Sequence, residues 1–259
     1  MMNVNGSTSC WPGTTHSEAI SNLLAGAHEP VWGKLGTEHI QICPQNRGVL
    51  DEDGVAAILA LLPNTSKARL HANVRLFNSE YGFNGKQNMH DASTGMLWRG
   101  YPGTAKHYFH QLAKLSNLLG SPAYTLHAGS RRNASLDEMR KNVLAIEQLM
   151  QIPVGVEGLY PQKDMWLIHD WSEYAWLLES GLNYAIDMSH LHIVATQSDR
   201  FELNLLKELV SSSKCIEVHV SGNNGDKDSH ELTQANQWWF EAMLHINQDC
   251  VIFTEGDHR

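Results

Sequence analysis

The sequence has few cysteines, and their spacing excludes one common way of stabilising a fold. Four cysteines occur in 259 residues, and no two of them form a Cys-x-x-Cys pair. A disulfide framework is typical of short secreted chains with many cysteines, so none is expected here. Cys43, Cys215 and Cys250 fall in predicted strands, where a free cysteine packs as a small apolar side chain.

Long apolar segments are also missing. No stretch approaches the roughly 18 consecutive apolar residues that a transmembrane helix needs. Residues 1–6 contain neither the basic segment nor the apolar segment of a signal peptide. We therefore expect a cytoplasmic protein that does not bind a membrane.

Positive charge is scarce, and the common phosphate-binding motifs are absent. The chain has 19 lysines and arginines against 28 aspartates and glutamates, for a net charge of -9. A broad nucleic-acid surface needs clustered basic side chains, so this balance argues against a nucleic-acid partner. No G-x-G-x-x-G, G-x-x-x-x-G-K-[ST] or G-x-S-x-G segment occurs, which argues against a nucleotide cofactor and a serine nucleophile. The expected partner is a small-molecule or peptide substrate, and the sequence indicates no oligomeric state.

The chain instead shows a regular alternation of strand-like and helix-like segments. Short apolar runs predict strands near 2–8, 38–43, 68–72, 123–128, 153–157, 183–188, 215–220 and 250–255. Amphipathic segments predict helices over 17–26, 51–62, 104–119, 135–150, 171–179, 201–210 and 234–245. Alternating strands and helices form parallel β/α units, so eight strands predict one (β/α)8 TIM barrel, a single domain over residues 1–259. A doubly wound open sheet is the alternative.

Two of the predicted connections are unusually long for a compact domain. Residues 77–103 follow the third strand, and residues 221–232 follow the seventh. Loops of this length are often lids or binding loops, and connections that leave the carboxyl ends of barrel strands lie at the barrel mouth. We therefore expect the 77–103 loop to lie over the mouth.

Histidine, aspartate and glutamate recur where the predicted strands end. The chain has 15 histidines, more than a structural role usually requires. Nine side chains stand at strand ends or just after them: His71, His127, Glu157, Asp187, His190, His219, Asp228, His230 and Glu255. The carboxyl ends of barrel strands meet at one face, so these side chains are expected to converge there.

The residue types in this set predict a metal centre at the C-terminal mouth of the barrel. Imidazole and carboxylate ligands without thiolate suit zinc, manganese or iron. One divalent ion takes only three or four protein ligands. Nine candidates therefore predict two or three divalent metal ions (Fe, Zn or Mn), or some residues that support the ligands through hydrogen bonds.

Four segments resemble the xylose isomerase-like TIM barrels, the superfamily that contains endonuclease IV and the sugar-phosphate isomerases and epimerases. They are Leu126-His127-Ala128-Gly129, Val154-Gly155-Val156-Glu157, Ile186-Asp187-Met188-Ser189-His190 and the stretch 219–230. The resemblance covers nearly the whole chain and implies metals at the mouth of the barrel. It also implies that all nine residues match the trinuclear set of the endonuclease IV branch. By the same resemblance, Glu157 and Glu255 flank the substrate as catalytic residues, each a metal ligand or an acid/base group.

Three activities remain open on this barrel. The first is isomerase, epimerase or lyase chemistry on a small sugar-like or carbonyl substrate, which is the commonest activity of the superfamily and is preferred. The second is oxidation of a peptide, because residues 157–161 and 217–222 are similar to segments of the multinuclear iron-dependent oxidases that modify ribosomal peptides. The third is phosphodiester hydrolysis of the endonuclease IV kind.

Four further residues are candidates for substrate binding. Arg131 and Arg132 follow the fourth strand, where guanidinium groups can bind a carboxylate or phosphate through paired hydrogen bonds. A solvated charge pair at a helix start is the alternative for these two. Asn73 and Arg75 follow His71 in the alternation that faces the mouth, so they are expected to contact the substrate as well.

Overall fold

Eight parallel strands form a nearly closed barrel in this computed structural model, which describes residues 2–78, 83–84, 90–96, 104–162 and 165–259. The strands are β1 (Val4–Ser7), β2 (Gly36–Ile42), β3 (Lys67–Leu70), β4 (Tyr124–His127), β5 (Val154–Glu157), β6 (Asn183–Asp187), β7 (Cys215–Val220) and β8 (Val251–Thr254). Their spatial order is β3-β2-β1-β8-β7-β6-β5-β4. A parallel bridge between His71 and Thr125 joins the two ends of this order. The predicted (β/α)8 TIM barrel is confirmed.

Helices connect the strands. They are α1 (His16–Leu24), α2 (Glu52–Leu61), α3 (Thr104–Leu119), α4 (Leu136–Met150), α5 (Trp171–Glu179), α6 (Met188–Ser198), α7 (Leu203–Ser211) and α8 (Phe240–Met243). Their apolar faces pack on outward-facing strand residues such as Leu126, Val156 and Ile186 to form the main hydrophobic core. Within the described ranges, none of these helices is both long and apolar enough for a membrane span.

The alternation of strand residues separates this core from a polar barrel interior. On β7, Val218 and Val220 belong to the hydrophobic core, whereas Glu217 and His219 contact side chains from other strands across the barrel. Successive side chains of a strand point to opposite faces, so one strand supplies both environments. The residues at strand ends therefore point into the barrel mouth.

One helix was not expected from the sequence. Helix α6 begins directly after β6, and its cap is Asp187, whose side chain accepts hydrogen bonds from the backbone N–H groups of Ser189 and His190. The helix is buried on most sides, from Met188 through Ala195, so it lacks the polar stripe that marks an amphipathic helix. His190 lies in the first turn of this helix, so its side chain lies close to that of Asp187.

The predicted helix over residues 234–245 is much shorter in the structure. Only Phe240–Met243 is helical within that range. An antiparallel pair of short strands, His28–Glu29 and Gly33–Lys34, precedes β2 and contacts this part of the chain through its turn. Trp32 in its turn stacks on Trp239 and donates a hydrogen bond from its indole N–H to the Thr233 hydroxyl.

The long connection after β3 is described only in part. Residues 90–96 lie beside the end of β4, where the Ala92 N–H donates a hydrogen bond to the His127 carbonyl at 3.0 Å. The Asn142 amide on α4 donates to the Ala92 carbonyl at 2.9 Å and holds this segment. The remainder of the expected lid, residues 79–82, 85–89 and 97–103, lies outside the described residues.

Side chains cap the N-termini of α1, α2, α4, α5 and α6, whereas α7 and α8 have no side-chain cap. At α4 the side chains of Ser135 and Glu138 each accept a hydrogen bond from the other residue's backbone N–H, which is a capping box. Helix α1, predicted over 17–26, begins at His16 after its cap Thr15, which forms a reciprocal box with Glu18.

We expect Ser135→Ala to lower the free energy of unfolding by about 1 kcal/mol, because it leaves the Glu138 N–H without its acceptor. Urea denaturation followed by circular dichroism measures this loss. Thr65→Ala, at an exposed residue outside the helices, is the control and should change little. A Ser135→Ala variant as stable as the parent would contradict the capping argument.

Candidate metal centre

Nine side chains meet at the carboxyl ends of the strands and form what we call the central cluster. They are His71, His127, Glu157, Asp187, His190, His219, Asp228, His230 and Glu255. Three overlapping groups within it bring one ligand atom per residue within 4.8 Å of one another: His71 with His127 and Glu157, His71 with His219 and Glu255, and Glu157 with Asp187 and His190. Every residue predicted as a metal ligand thus lies in one place.

Glu157 occupies the middle of the central cluster. Its Oε2 atom lies 3.4 Å from His71 Nε2, 3.8 Å from His127 Nε2 and 3.5 Å from His219 Nδ1. Its Oε1 atom lies 3.3 Å from His190 Nδ1 on the other side. One carboxylate therefore borders two groups of potential ligands, as a bridging ligand does.

The loop after β7 supplies two more members. A two-way backbone hydrogen bond between Gly222 and Glu231 closes the base of this loop, so that Asp228 and His230 turn back to the mouth. Asp228 Oδ2 lies 2.9 Å from His230 Nε2 and 3.5 Å from His190 Nε2. The Ser189 hydroxyl donates a hydrogen bond to Asp228 Oδ1 at 2.8 Å and fixes the carboxylate.

Several buried atoms of the cluster lack the partners that buried polar atoms normally have. Glu157 Oε2, His219 Nδ1 and Glu255 Oε1 are buried and make no hydrogen bond. An unsatisfied buried polar atom costs free energy, so these atoms need a partner that is not a protein side chain. Each atom faces other ligand-type atoms at 3.5–4.0 Å. The residues therefore fit divalent metal ions, which would accept these lone pairs.

Hydrogen bonds outside the cluster orient three of its imidazoles. His71 Nδ1 bonds the Thr125 hydroxyl at 2.8 Å, and His190 Nδ1 donates to the Gly158 carbonyl at 2.9 Å. His219 Nε2 donates to Glu217 Oε2 at 3.0 Å. Each bond fixes one ring nitrogen and leaves the other directed into the cluster, as in many metal-binding histidines.

A polar layer beneath the cluster, which sequence reasoning missed, centres on Glu217. This fully buried carboxylate accepts hydrogen bonds from Arg69 at 2.6 Å, Thr125 at 3.0 Å and Gln41 at 3.1 Å, besides that from His219. Arg69 stands two residues before His71, and Glu217 two residues before His219. Residues two positions apart on a strand share a face, so Arg69 and Glu217 could have been identified from their spacing to His71 and His219.

The carboxylates and imidazoles shift one another's pKa values. Burial lowers the pKa of His219, but Glu157 and Glu255 outweigh it and hold the pKa well above its usual range. His190 behaves in the same way, because Asp187 and Asp228 outweigh the effect of burial on its pKa. Burial raises the pKa of Glu255 to about 7. The carboxylates of the site therefore favour positive charge at its centre, which divalent cations would supply.

A cleft of about 190 Å³ opens onto the central cluster. Besides cluster residues, its walls contain Pro44, Gln45, Leu159, Tyr160, Gln162 and Trp166. The Tyr160 ring lies 4.9 Å from the His190 ring, measured between centroids. Among the described residues that line the cleft, none is a lysine or an arginine.

The four predicted substrate-binding residues do not line this cleft. Arg131 donates hydrogen bonds to the Trp166 carbonyl and to Glu173, and Arg132 is exposed. Asn73 accepts a hydrogen bond from the His90 N–H, and Arg75 is exposed. Their roles in substrate binding stay predictions. Gln45, Tyr160 and Trp166 line the cleft instead. None of them is a histidine, an aspartate or a glutamate at a strand end, so the pattern that identified the metal ligands did not select them.

Solved structures share this fold. A D-tagatose 3-epimerase-like protein is 12% identical, with a TM-score of 0.66 over 99% of this chain and 91% of that one. The IolI protein with a bound zinc atom is 12% identical, with a TM-score of 0.61 over 98% and 88%. Endonuclease IV from Thermus thermophilus is 17% identical, with a TM-score of 0.55 over 92% and 86%.

These likenesses establish the (β/α)8 barrel fold, in agreement with the fold that the sequence resemblance implied. At such low identity they do not establish the reaction. No family model matches the sequence, and no curated protein sequence matches it either.

Proposed function

We propose that this protein is a metal-dependent enzyme that holds two or three divalent ions in the central cluster. The observation that carries the proposal is the set of buried ligand atoms without partners, Glu157 Oε2, His219 Nδ1 and Glu255 Oε1, which face one another at the barrel mouth. Four carboxylates in the cluster balance the charge of two divalent ions, and a third ion would leave positive charge for an anionic substrate or hydroxide.

The preferred reaction is isomerase, epimerase or lyase chemistry on a small sugar-like or carbonyl compound. Structural neighbours named as sugar epimerases support this class. When bound, the metal ions would polarise the substrate oxygens. Glu157 and Glu255 both approach His71 Nε2 and His219 Nδ1, at 3.4–4.0 Å, so the two carboxylates border the same space. In this reaction one carboxylate would remove a proton from the substrate and the other would return it.

The cleft fits a small substrate. Its volume of about 190 Å³ is below the usual 300–1,000 Å³ of pockets for drug-sized ligands. Tyr160, Gln162 and Gln45 would supply hydrogen bonds to substrate hydroxyl or carbonyl groups, and Trp166 would supply an apolar wall. We propose no nucleic-acid partner, because the described lining of the cleft carries no basic side chain for a phosphodiester backbone. A cytoplasmic location stays a prediction.

A second candidate is iron-dependent oxidation of a peptide. It is favoured by the size of the ligand set, since nine residues exceed the three or four that one ion for proton transfer requires. Nitrogen and oxygen ligands suit iron as well as zinc or manganese. A cleft of this size would admit one side chain or the end of a peptide.

The test begins with the metal content of protein purified without added metal, measured by mass spectrometry. The preferred function predicts that Mn²⁺ or Co²⁺ activates the protein and that deuterium from D₂O enters a carbon position of a converted sugar. Glu255→Gln should stop that exchange and leave the circular dichroism spectrum unchanged. Two or three irons per chain, with oxygen uptake and no deuterium exchange, would replace this function by the peptide oxidase. Zinc with cleavage of an abasic duplex would replace it by phosphodiester hydrolysis.

A further inference from the structure

A second group of potential metal ligands lies apart from the central cluster. It consists of Cys10, Glu29 and His258, which we call the outer cluster. Cys10 ends the 3₁₀ turn Thr8–Cys10 that follows β1, Glu29 lies in the hairpin before β2, and His258 lies in the segment after β8. Three distant parts of the chain therefore bring a thiol, a carboxylate and an imidazole together, with ligand atoms within 4.8 Å of one another.

The contacts in the outer cluster are close and specific. His258 Nε2 lies 3.1 Å from Glu29 Oε1, and the Thr254 hydroxyl donates a hydrogen bond to the same oxygen. Cys10 Sγ donates to the Thr254 carbonyl at 3.3 Å. The Trp11 ring packs on the His258 ring, with 5.0 Å between their centroids. These contacts hold the three candidate ligands against the end of β8.

The Glu29 carboxylate is buried and only partly paired. Its side chain is 0% exposed, and its Oε2 atom makes no hydrogen bond. Among the described residues its ion-pair partner is His258, and no lysine or arginine pairs with it. A buried carboxylate with one unsatisfied oxygen is costly unless a cation is present.

We propose that the outer cluster binds one zinc ion through Cys10, Glu29 and His258. In tetrahedral zinc sites the metal–ligand bonds of about 2.0–2.3 Å place neighbouring ligand atoms about 3.3–3.6 Å apart. The Glu29–His258 separation of 3.1 Å is close to this spacing. Three protein ligands leave the fourth position for a water molecule or the second carboxylate oxygen of Glu29.

Charge and protons balance in this site. Zinc binds the thiolate, so the Cys10 thiol loses its proton to solvent and the hydrogen bond to Thr254 is given up. His258 would bind as neutral imidazole through Nε2 with its proton on Nδ1, so its hydrogen bond to Glu29 Oε1 is given up as well. One carboxylate and one thiolate then neutralise the divalent ion, and no electron is transferred. The bound ion would tie the hairpin and the 255–259 segment to β8, next to Glu255 of the central cluster. This inference does not depend on the reaction proposed for that cluster.

Cobalt substitution in the full chain tests the outer cluster separately. Cobalt(II) bound to a thiolate absorbs strongly in the near ultraviolet, and the central cluster contains no cysteine. Titration of metal-free protein with Co²⁺ should therefore produce this absorption with a stoichiometry of one thiolate-bound ion per chain. Cys10→Ser should remove the absorption and lower the zinc content of the purified protein by one ion per chain.

Cys43→Ser is the matched control, because Cys43 is also buried but bonds Ser7 and Gln41 outside the outer cluster. It should keep both the absorption and the zinc. If Cys10→Ser does not fold, His258→Gln provides the second test and should weaken cobalt binding about tenfold or more. The proposal is overturned if saturating Co²⁺ produces no thiolate absorption, if the absorption survives in Cys10→Ser, or if His258→Gln binds cobalt as tightly as the parent.

Discussion

Replacing Glu157 by glutamine is expected to abolish activity and to strip metal from the central cluster. The carboxylate lies within 3.3–3.8 Å of four imidazole nitrogens, so its loss affects two groups of ligands at once. The amide that replaces it has no charge and would present N–H groups to metal-binding nitrogens. Loss of the acid/base role alone should lower the rate about 10²–10⁴-fold. Loss of the metal ions should remove the remaining activity.

Metal content and steady-state rate are the two measurements for Glu157→Gln. Glu179→Gln, at an exposed residue at the end of α5, is the matched control and should keep both metal and activity. Circular dichroism should show a folded barrel for both variants. A folded Glu157→Gln protein with full metal content and full activity would show that Glu157 is neither a metal ligand nor a catalytic residue.

The strand-end pattern explains why the cluster could be anticipated from sequence. In a parallel barrel the carboxyl ends of all strands lie at the same face. A histidine or carboxylate at the end of an apolar run therefore lies at that face. His127 at the end of β4, Glu157 at the end of β5 and Asp187 at the end of β6 follow this rule directly. Fold and convergence of polar residues thus come from local patterns that the chain repeats.

The features that could not be anticipated depend on contacts between distant segments. Arg131 looks like a free anion-binding group, but its guanidinium pairs with Glu173, 42 positions later. The final helix is shorter than its pattern predicts, and its N-cap residue Trp239 packs against Trp32, which lies in a hairpin about 200 positions earlier. Helix α6 could not be predicted from the hydrophobic pattern. It is buried on most sides, so its sequence lacks the amphipathic period of a surface helix.

Replacing Glu217 by glutamine is expected to lower the free energy of unfolding by about 3–5 kcal/mol. Arg69 is buried, and its Nη1 lies 2.6 Å from Glu217 Oε1. Removing one partner of a buried ion pair usually costs about 3–5 kcal/mol, because the other charge remains buried without compensation. Burial raises the pKa of Glu217, but Arg69 and His219 outweigh it and hold the pKa at about 2 rather than 4.5, which corresponds to about 3 kcal/mol.

The lowered pKa sets the pH dependence of this loss. A carboxylate whose pKa is lower in the folded chain stabilises the fold fully above pH 4.5 and loses that contribution as the pH falls towards 2. Urea denaturation should therefore show a large gap between the parent and Glu217→Gln at neutral pH, and a gap that closes in acid. Glu241→Gln removes an exposed partner of Lys207 and should leave stability nearly unchanged.

A double variant separates the uncompensated charge from other effects of Glu217→Gln. If the loss arises from the charge of Arg69, then Arg69→Met combined with Glu217→Gln should be more stable than Glu217→Gln alone, because no unpaired cation remains buried. His219 still lacks the carboxylate that fixes its tautomer in both variants, so metal affinity should stay reduced about 10–100-fold in both. Recovery of stability without recovery of metal affinity would show that Glu217 serves the fold through Arg69 and the metal centre through His219. A double variant no more stable than the single one would contradict the first of these two roles.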